Sequence, residues 1–564
     1  MRIRRVAAVG SFLLLIPVAE PAIGQGAGAP PQHRPDVSGR EAAVVADHPL
    51  AVTAGHDVLR RGGNAVDAAV AMAGVLAVVR PHMNGVGGDA FALFFEGRSG
   101  KVTALNGSGR AGRLATPEFF TSRGMKTVPA AGATTITVPG AVSAWAAALE
   151  RHGTMTLRDL LQPAIQLADS GWVVTNTLHR DIATSAPKLN DGGRAIFAPS
   201  GTFPRVGQVI RNRPLAATLR AIASGGAEAF YRGAIGERIA AWVEAQGGYL
   251  RPDDFREHRA DWVDPLSMEL AGGRRVFAMP PNSQGMTQLQ MLSLAESFDL
   301  RAFGHNSAEY LHTLIETKRL AFADRDRWLA DPSMTKVPVD RLLDRAYLKS
   351  RAVLVGPRAA TEVAPGIDRE LPGEPASGTG DTVYLMVVDR EGNAVSWIQS
   401  LFASFGSGLV EPETGVVLQN RGSGFVLQPG HPNNIAPGKR PFHTLTPMLV
   451  TDAAGLRMTI GTPGGHGQPQ FLTQVYQNIF AFGLTPQQAV EAPRFIHNSG
   501  RRSEIEDRVS AAVIAALTER GHQISPVPGW TATFGGVQVI WIDPISGARR
   551  TGADPRREAY AIAW

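Results

Sequence analysis

Thr382 and Ser400 are the residues whose types and spacing could do chemistry together. They stand at the outer ends of two β-rich runs, 382–388 and 394–400, joined by a polar turn containing Gly392, the local signature of a hairpin. Pairing Val388 with Ala394 across the turn sets an antiparallel register that places Thr382 opposite Ser400, so two hydroxyls meet at the open end. A hydroxyl is a weak nucleophile near neutral pH, and a threonine can supply its own base only if its α-amine is free. Such an amine titrates near ~7.7–8, so part of it is unprotonated at neutral pH. It exists only after the bond between Asp381 and Thr382 is cut. Residues 358–380 are rich in Pro, Gly and charge, which predicts an exposed, mobile arm running into that bond. The same residues also suit an ordinary hairpin whose threonine is a good strand former.

Composition bounds what can position these groups. The chain has 564 residues, 44% hydrophobic and 19% charged, enough for a large core and, by length alone, several domains. Its 56 basic residues nearly balance 50 acidic ones, and no run of five like charges occurs, so a nucleic-acid partner has no patch to bind. The pI near 9.7 suits acidic substrates but equally a plain basic surface. Residues 1–24 read as an export signal: Arg2, Arg4 and Arg5, an apolar run over 6–18, then small residues at Ala22 and Gly24. An uncleaved anchor is the alternative. No later stretch reaches ~18 uninterrupted apolar residues, so no stable membrane span is expected and the location is periplasmic or secreted. Residues 25–42 read as a disordered tether. With no Cys there is neither a disulfide nor a thiol nucleophile, and fourteen scattered His without HExxH spacing give no metal site. No cofactor is expected.

From residue 43 to about 350 helical and extended patterns alternate. One helix ends near residues 59–64, and a continuously apolar helix over 65–79 belongs in the core. The glycine-rich 85–88 turns into a strand over 90–95; lacking GxGxxG or a Walker Lys, it reads as close backbone packing. An amphipathic helix is expected over 157–170, a strand-rich segment over 250–281 and a long helix over 308–330. Beyond the hairpin, strands are expected at 415–418, 446–451 and 458–461, a helix at 470–482, and a last strand pair formed by 536–542 and 560–563.

The hairpin sequence DTVYLMVVDREGNAVS, followed by FGSG at 405–408 and GVVLQN at 415–420, resembles the start of the small subunit of γ-glutamyltranspeptidases. The resemblance runs from about residue 43 to 564 through GGNAVDAA (62–69), GVGGDAF (85–91), VPG (138–140), MPP (279–281), AFADR (321–325) and PGG (463–465). It implies an N-terminal-nucleophile hydrolase with a four-layer αββα fold of the α+β class, in which helices cover two stacked sheets. It also implies self-cleavage between Asp381 and Thr382 into a large subunit, 43–381, and a small one, 382–564, that stay together as a heterodimer. Thr382 then matches the family nucleophile, Ser400 the supporting hydroxyl, and Gly464 and Gly465 the oxyanion hole. The implied activity is hydrolysis or transfer at γ-glutamyl amides of the glutathione type.

The resemblance breaks down at the substrate-binding positions. Gly424 stands where the family has the Asp that holds a substrate α-amino group, and Arg421 replaces a Gln. Phe402 replaces an Asn, and His443 and Thr444 replace a Ser pair. Arg110, in NGSGR, lies two residues from the family's substrate Arg. A site with Arg421, Arg110 and no acid favours a substrate carboxylate over an ammonium. The expectation is hydrolysis of a small-molecule acidic amide, with glutathione-type cleavage weaker. The alternatives are a non-glutamyl acylase or amidohydrolase on the same fold, and a secreted binding protein without activity.

Overall fold

The computed structural model describes residues 32–367 and 380–564. The 1–24 export segment, residues 25–31 of the tether and residues 368–379 of the arm lie outside them. Among the described residues no helix is long and apolar enough to cross a membrane.

Fourteen strands form two sheets: β1 (Val37–Gly39), β2 (Ala43–Ala46), β3 (Asp89–Phe95), β4 (Val102–Gly107), β5 (Asp261–Val263), β6 (Leu266–Leu270), β7 (Arg274–Ala278), β8 (Asp381–Val388), β9 (Ala394–Phe402), β10 (Met448–Asp452), β11 (Gly455–Gly461), β12 (Gln538–Ile542), β13 (Arg549–Ala553) and β14 (Tyr560–Ala563). The first sheet runs β14-β2-β8-β9-β3-β4-β5 and the second β1-β13-β12-β11-β10-β7-β6. The expected hairpin is β8–β9, central to the first sheet, and Val388 pairs with Ala394.

Side-chain alternation along β8 decides the layering. Val383, Leu385 and Val387 face a core shared with the helices α1 (Pro49–Arg60), α2 (Ala65–Val79), α3 (Ala141–His152), α4 (Gln162–Ser170), α5 (Asn176–Ser185) and α6 (Arg213–Tyr231). Tyr384, Met386 and Val388 face a second core, between the sheets, with Leu449 and Ile540. A third core sets Val276, Val450, Ile460 and Val539 of the second sheet against α7 (Gly285–Ala295), α8 (Ala308–Trp328) and α9 (Gln468–Phe480). Three cores between four layers give the αββα sandwich. α2 is buried on every side, as its unbroken apolar sequence requires, and its start is fixed by Asn64, which accepts from Val66 N and Asp67 N in a capping box. Where the sheets approach, a Cβ on Gly461 would fall 2.1 Å from the Tyr384 ring, so only glycine fits.

Five sequence expectations are corrected. The 157–170 helix is two helices, Leu157–Leu160 and α4, because Pro163 has no N–H to continue the first. The strand-rich 250–281 segment opens with a helical turn, Pro252–Arg256. The tether does not extend to residue 42, since β1 pairs with β13 and Asp36 bonds Arg550. The last strands are not a pair: β12 pairs with β11 and with the unforeseen β13, while β14 crosses to the first sheet and pairs with β2. Likewise the 358–380 arm is not free along its described part, where Ile367 is buried and its carbonyl accepts from Trp328 Nε1 at 2.7 Å.

Candidate active site

One end of the sandwich gathers the start of β8, the end of β9 and the start of β3, where Ser400 pairs with Asp89. Thr444, ahead of β10, and Gly464 and Gly465, after β11, join them. The glycines of the 85–88 turn allow this approach: a Cβ on Gly88 would lie 2.5 Å from Ser400 O, and one on Gly87 2.1 Å from Val417 O.

Ser400 is the hub. Thr382 Oγ1 donates to Ser400 Oγ at 3.3 Å, across a register shift that opens between residues 381 and 383. Phe402 N donates to the same oxygen at 2.7 Å and Arg421 Nη2 at 3.0 Å. Neither of these two donors can accept, so neither takes the Ser400 proton, and with Thr382 three donors share the lone pairs of the hydroxyl. Its single proton is therefore directed outward, and Ser400 Oγ donates to Asp381 O at 2.7 Å. That oxygen is the carbonyl of the Asp381–Thr382 peptide bond. Phe402 is held at φ 81°, a conformation that costs a non-glycine residue about 1–3 kcal/mol. Its bond to Ser400 and the Arg421 guanidinium, 4.4 Å over its ring, keep it there.

Arg421 is 1% exposed, and among the described residues its guanidinium hydrogen-bonds hydroxyls alone: Ser400 Oγ, and Thr444 Oγ1 at 3.3 Å. Among the described residues no carboxylate lies within ion-pair distance of it, and its Nε has no partner. Burial pulls its pKa down to about 9, opposed by the charge of Asp89, so it remains a cation at neutral pH. Asp89 accepts from Gly109 N at 2.8 Å and lies 3.1 Å from His443 Nε2. Burial pushes the Asp89 carboxyl from 3.8 up to about 7, against the pull of Arg421 and the Gly109 N–H. Burial and the Arg421 charge hold His443 well below its ordinary range, so the ring is neutral.

The Asp89 pKa carries a prediction. Because the folded protein holds a proton that the unfolded chain releases near 3.8, this group's contribution to stability is full below that pH and lost as pH rises through about 7. The melting temperature of the native protein should fall relative to Asp89→Asn between pH 4 and 7, measured by calorimetry at both ends; parallel pH profiles would contradict it.

Gly464 (φ 127°) and Gly465 (φ 55°) adopt conformations that suit glycine. Among the described residues neither N–H has a protein acceptor. Gln284 Nε2 clamps their loop by donating to Thr444 O at 2.7 Å and Gly465 O at 3.1 Å, while its Oε1 accepts from Arg325 Nη1 at 3.1 Å. Gly424 is buried in the short turn Arg421–Gly424, with no side chain to carry a charge.

Of the candidates named from the sequence, Thr382, Ser400, Phe402, Arg421 and Thr444 are directly linked, and Gly465, next to Gly464, sits against Gly380, the residue preceding Asp381. A Cβ on Gly465 would be 2.7 Å from Gly380 N. Two candidates lie elsewhere. Arg110 bonds Asp261 Oδ2 at 3.1 Å and Gly438 O at 3.2 Å, in a network that Arg440 shares, so its charge is already neutralised. His443 lies beneath the site as the partner of Asp89 and does not line it. Asp89, Gln284 and Arg325 were not singled out as site residues; Asp89 and Arg325 lie within the motifs GVGGDAF and AFADR, while Gln284 left no trace.

The profile of the family described as gamma-glutamyltranspeptidase matches residues 51–564. The chain is 38% identical over 538 residues to the glutathione hydrolase-like YwrD proenzyme of Bacillus subtilis, covering 93% of this chain and 99% of that one. It is 36% identical to the oxamate amidohydrolase proenzyme of Klebsiella pneumoniae, covering 92% and 98%. The solved structure of a cephalosporin acylase from Bacillus halodurans superposes with a TM-score of 0.88 at 37% identity, covering 98% of this chain and 99% of that one. With its four-layer fold, the chain belongs to the γ-glutamyltranspeptidase family and is an enzyme of the N-terminal-nucleophile hydrolase type.

Proposed function

We propose that the chain is the precursor of an amide hydrolase that cuts itself between Asp381 and Thr382 and then uses Thr382 as its nucleophile on acidic amides. In the first reaction the Thr382 hydroxyl oxygen bonds to the Asp381 carbonyl carbon, the C–N bond breaks, and the hydroxyl proton ends on the freed nitrogen. Water opens the resulting ester to an Asp381 carboxylate and a free Thr382. In turnover the new α-amine is the base, Ser400 supports the nucleophile, and the N–H groups of Gly464 and Gly465 receive the developing oxyanion. The observation that carries this reading is the Ser400 hydroxyl, which links the Thr382 hydroxyl at 3.3 Å to the scissile carbonyl at 2.7 Å. The two pieces, 43–381 and 382–564, form one heterodimer on this reading, because β8 and β2 are neighbours in one sheet. The relatives named as proenzymes support it. Residues 1–24 support export to the periplasm or beyond.

The substrate preference rests on charge. Beside the proposed nucleophile Arg421 is a buried cation without a carboxylate partner among the described residues, and Gly424 supplies no acid to hold a substrate ammonium. An acyl group bearing a carboxylate would complete the ion pair. The oxamate amidohydrolase and cephalosporin acylase among the relatives fit a non-glutamyl acid amide. The glutathione hydrolase-like relative favours a second reading, γ-glutamyl hydrolysis of the glutathione type. Intact-mass analysis and N-terminal sequencing should give two fragments, the smaller beginning at Thr382. A panel of acyl-carboxylate amides beside glutathione should then show faster hydrolysis of the former and little transfer to amino-acid acceptors. Glutathione leading by a wide margin would overturn the preference.

A further inference from the structure

Asp381, the residue on the acyl side of the scissile bond, is held by its side chain as well as by its backbone. Arg557 Nη1 donates to Asp381 Oδ1 at 2.7 Å, with the two side chains 10% and 16% exposed. Arg557 is held from behind: its Nη2 donates to Ala532 O at 3.2 Å, its aliphatic stem packs where a Cβ on Gly536 would fall 3.0 Å away, and its Nε has no partner among the described residues. On the far side, Asp181 of α5 and the buried His82 place ligand atoms within 4.8 Å of the Asp381 carboxylate, with His82 Nε2 3.3 Å from Asp181 Oδ2. A second acid this close repels Asp381, so Arg557 supplies the attraction that keeps the carboxylate in place.

The scissile segment is thus pinned at three points. Gly380 lies against Gly465, a Cβ on it meeting Gly465 Cα at 3.1 Å. Ser400 holds the Asp381 carbonyl oxygen, and Arg557 holds the side chain of the same residue. Two pins on the backbone leave rotation about the Asp381 Cα; a third on its side chain removes it, fixing which face of the carbonyl the Thr382 hydroxyl meets.

We propose that Arg557 is a positioning residue for self-cleavage, acting through the carboxylate of Asp381 and not needed once the bond is cut. The proposal rests on the reading of Thr382 as the nucleophile. It makes Asp381 a specificity determinant: the chain selects an acidic residue on the acyl side of its own scissile bond.

The test follows the fraction of cut chain with time by intact mass for full-length Arg557→Ala, Arg557→Lys, Asp381→Asn and the Arg557→Ala/Asp381→Asn double variant, beside Thr382→Ala. Arg557→Ala and Asp381→Asn are each expected to slow cleavage ~10- to 100-fold, the rate equivalent of losing one well-formed ion pair. The double variant should be no slower than the slower single one, because both remove the same interaction. Arg557→Lys should recover part of the rate, and each variant, once cut, should hydrolyse substrate with the native kcat. Asp381→Asn leaves the Arg557 packing intact and so tests the proposal even if Arg557→Ala folds poorly. Multiplicative slowing in the double variant, an Asp381→Asn chain cut at the native rate, or cut variants with a depressed kcat would each overturn it. Cutting of Thr382→Ala at the same bond would instead remove the nucleophile reading on which it stands.

Discussion

A Thr382→Ala chain is expected to stay whole at 564 residues after prolonged incubation near neutral pH, while the native chain separates into two fragments under the same conditions. Thr382 is 1% exposed and among the described residues its hydroxyl hydrogen-bonds Ser400 alone, so losing it removes the attacking oxygen and little else. Fold and melting temperature should change little. Amide hydrolysis should fall by ~10⁴-fold or more, since both the nucleophile and the α-amine that activates it are lost. Intact mass and a hydrolysis assay on the same preparation check both halves. A Thr382→Ala chain cut to the same fragments, with turnover preserved, would exclude Thr382 and return the hairpin to the role of an ordinary structural element.

Ser400→Ala is expected to produce the second-largest effect, and a different one. Ser400 is the donor to the scissile carbonyl at 2.7 Å, so its removal takes away a hydrogen bond that strengthens as that oxygen gains charge. Losing one donor of this kind costs ~2.7–4 kcal/mol, a slowing of cleavage by ~10²–10³-fold. Unlike Thr382→Ala, the variant should be cut slowly, not left uncut. It should also lose stability: the Phe402 N–H and Arg421 Nη2 both donate to this hydroxyl and would be left buried without it, at ~1–3 kcal/mol for each unsatisfied group. Cleavage half-time by mass and melting temperature by calorimetry separate the two consequences. Normal cleavage with only a lower melting temperature would reduce Ser400 to a packing role.

How much of this was legible in the sequence depended on whether a contact is local. The hairpin register was, because period-two alternation and a short glycine turn fix it within twenty residues, and the observed pairing of Val388 with Ala394 follows. That register put Thr382 beside Ser400 before any other strand was placed. The apolar run of α2 announced its burial in the same way. The register shift at residues 381–383, by contrast, arises where β8 meets the loop carrying Gly380, and nothing local signals it.

Side chains on loops were read less well. Arg110 and Arg421 looked equivalent as cations near the site. Arg421 is held at the hydroxyls, while Arg110 is drawn to Asp261, a residue 151 positions away brought alongside by the pairing of β4 with β5. His443 was expected to line the site and instead supports Asp89, because the loop ahead of β10 carries it beneath the start of β3. The exchange of β14 into the first sheet and the entry of β1 into the second were invisible for the same reason: edge pairing depends on which sheet has an open edge.

By itself, then, the sequence determined the hairpin, the two hydroxyls at its open end, the glycines that allow backbones to meet, and the absence of an acid at residue 424. These follow from chain geometry over a few residues and from which side chains are present. Only the tertiary structure decided the rest: that the Ser400 proton is directed at the Asp381 carbonyl, that Arg421 has no carboxylate partner among the described residues, and that Arg557 reaches Asp381 across 176 residues. The physical reason is that hydrogen-bond direction and charge pairing are set by all the groups converging on a point. At this site they arrive from the ends of strands in both sheets.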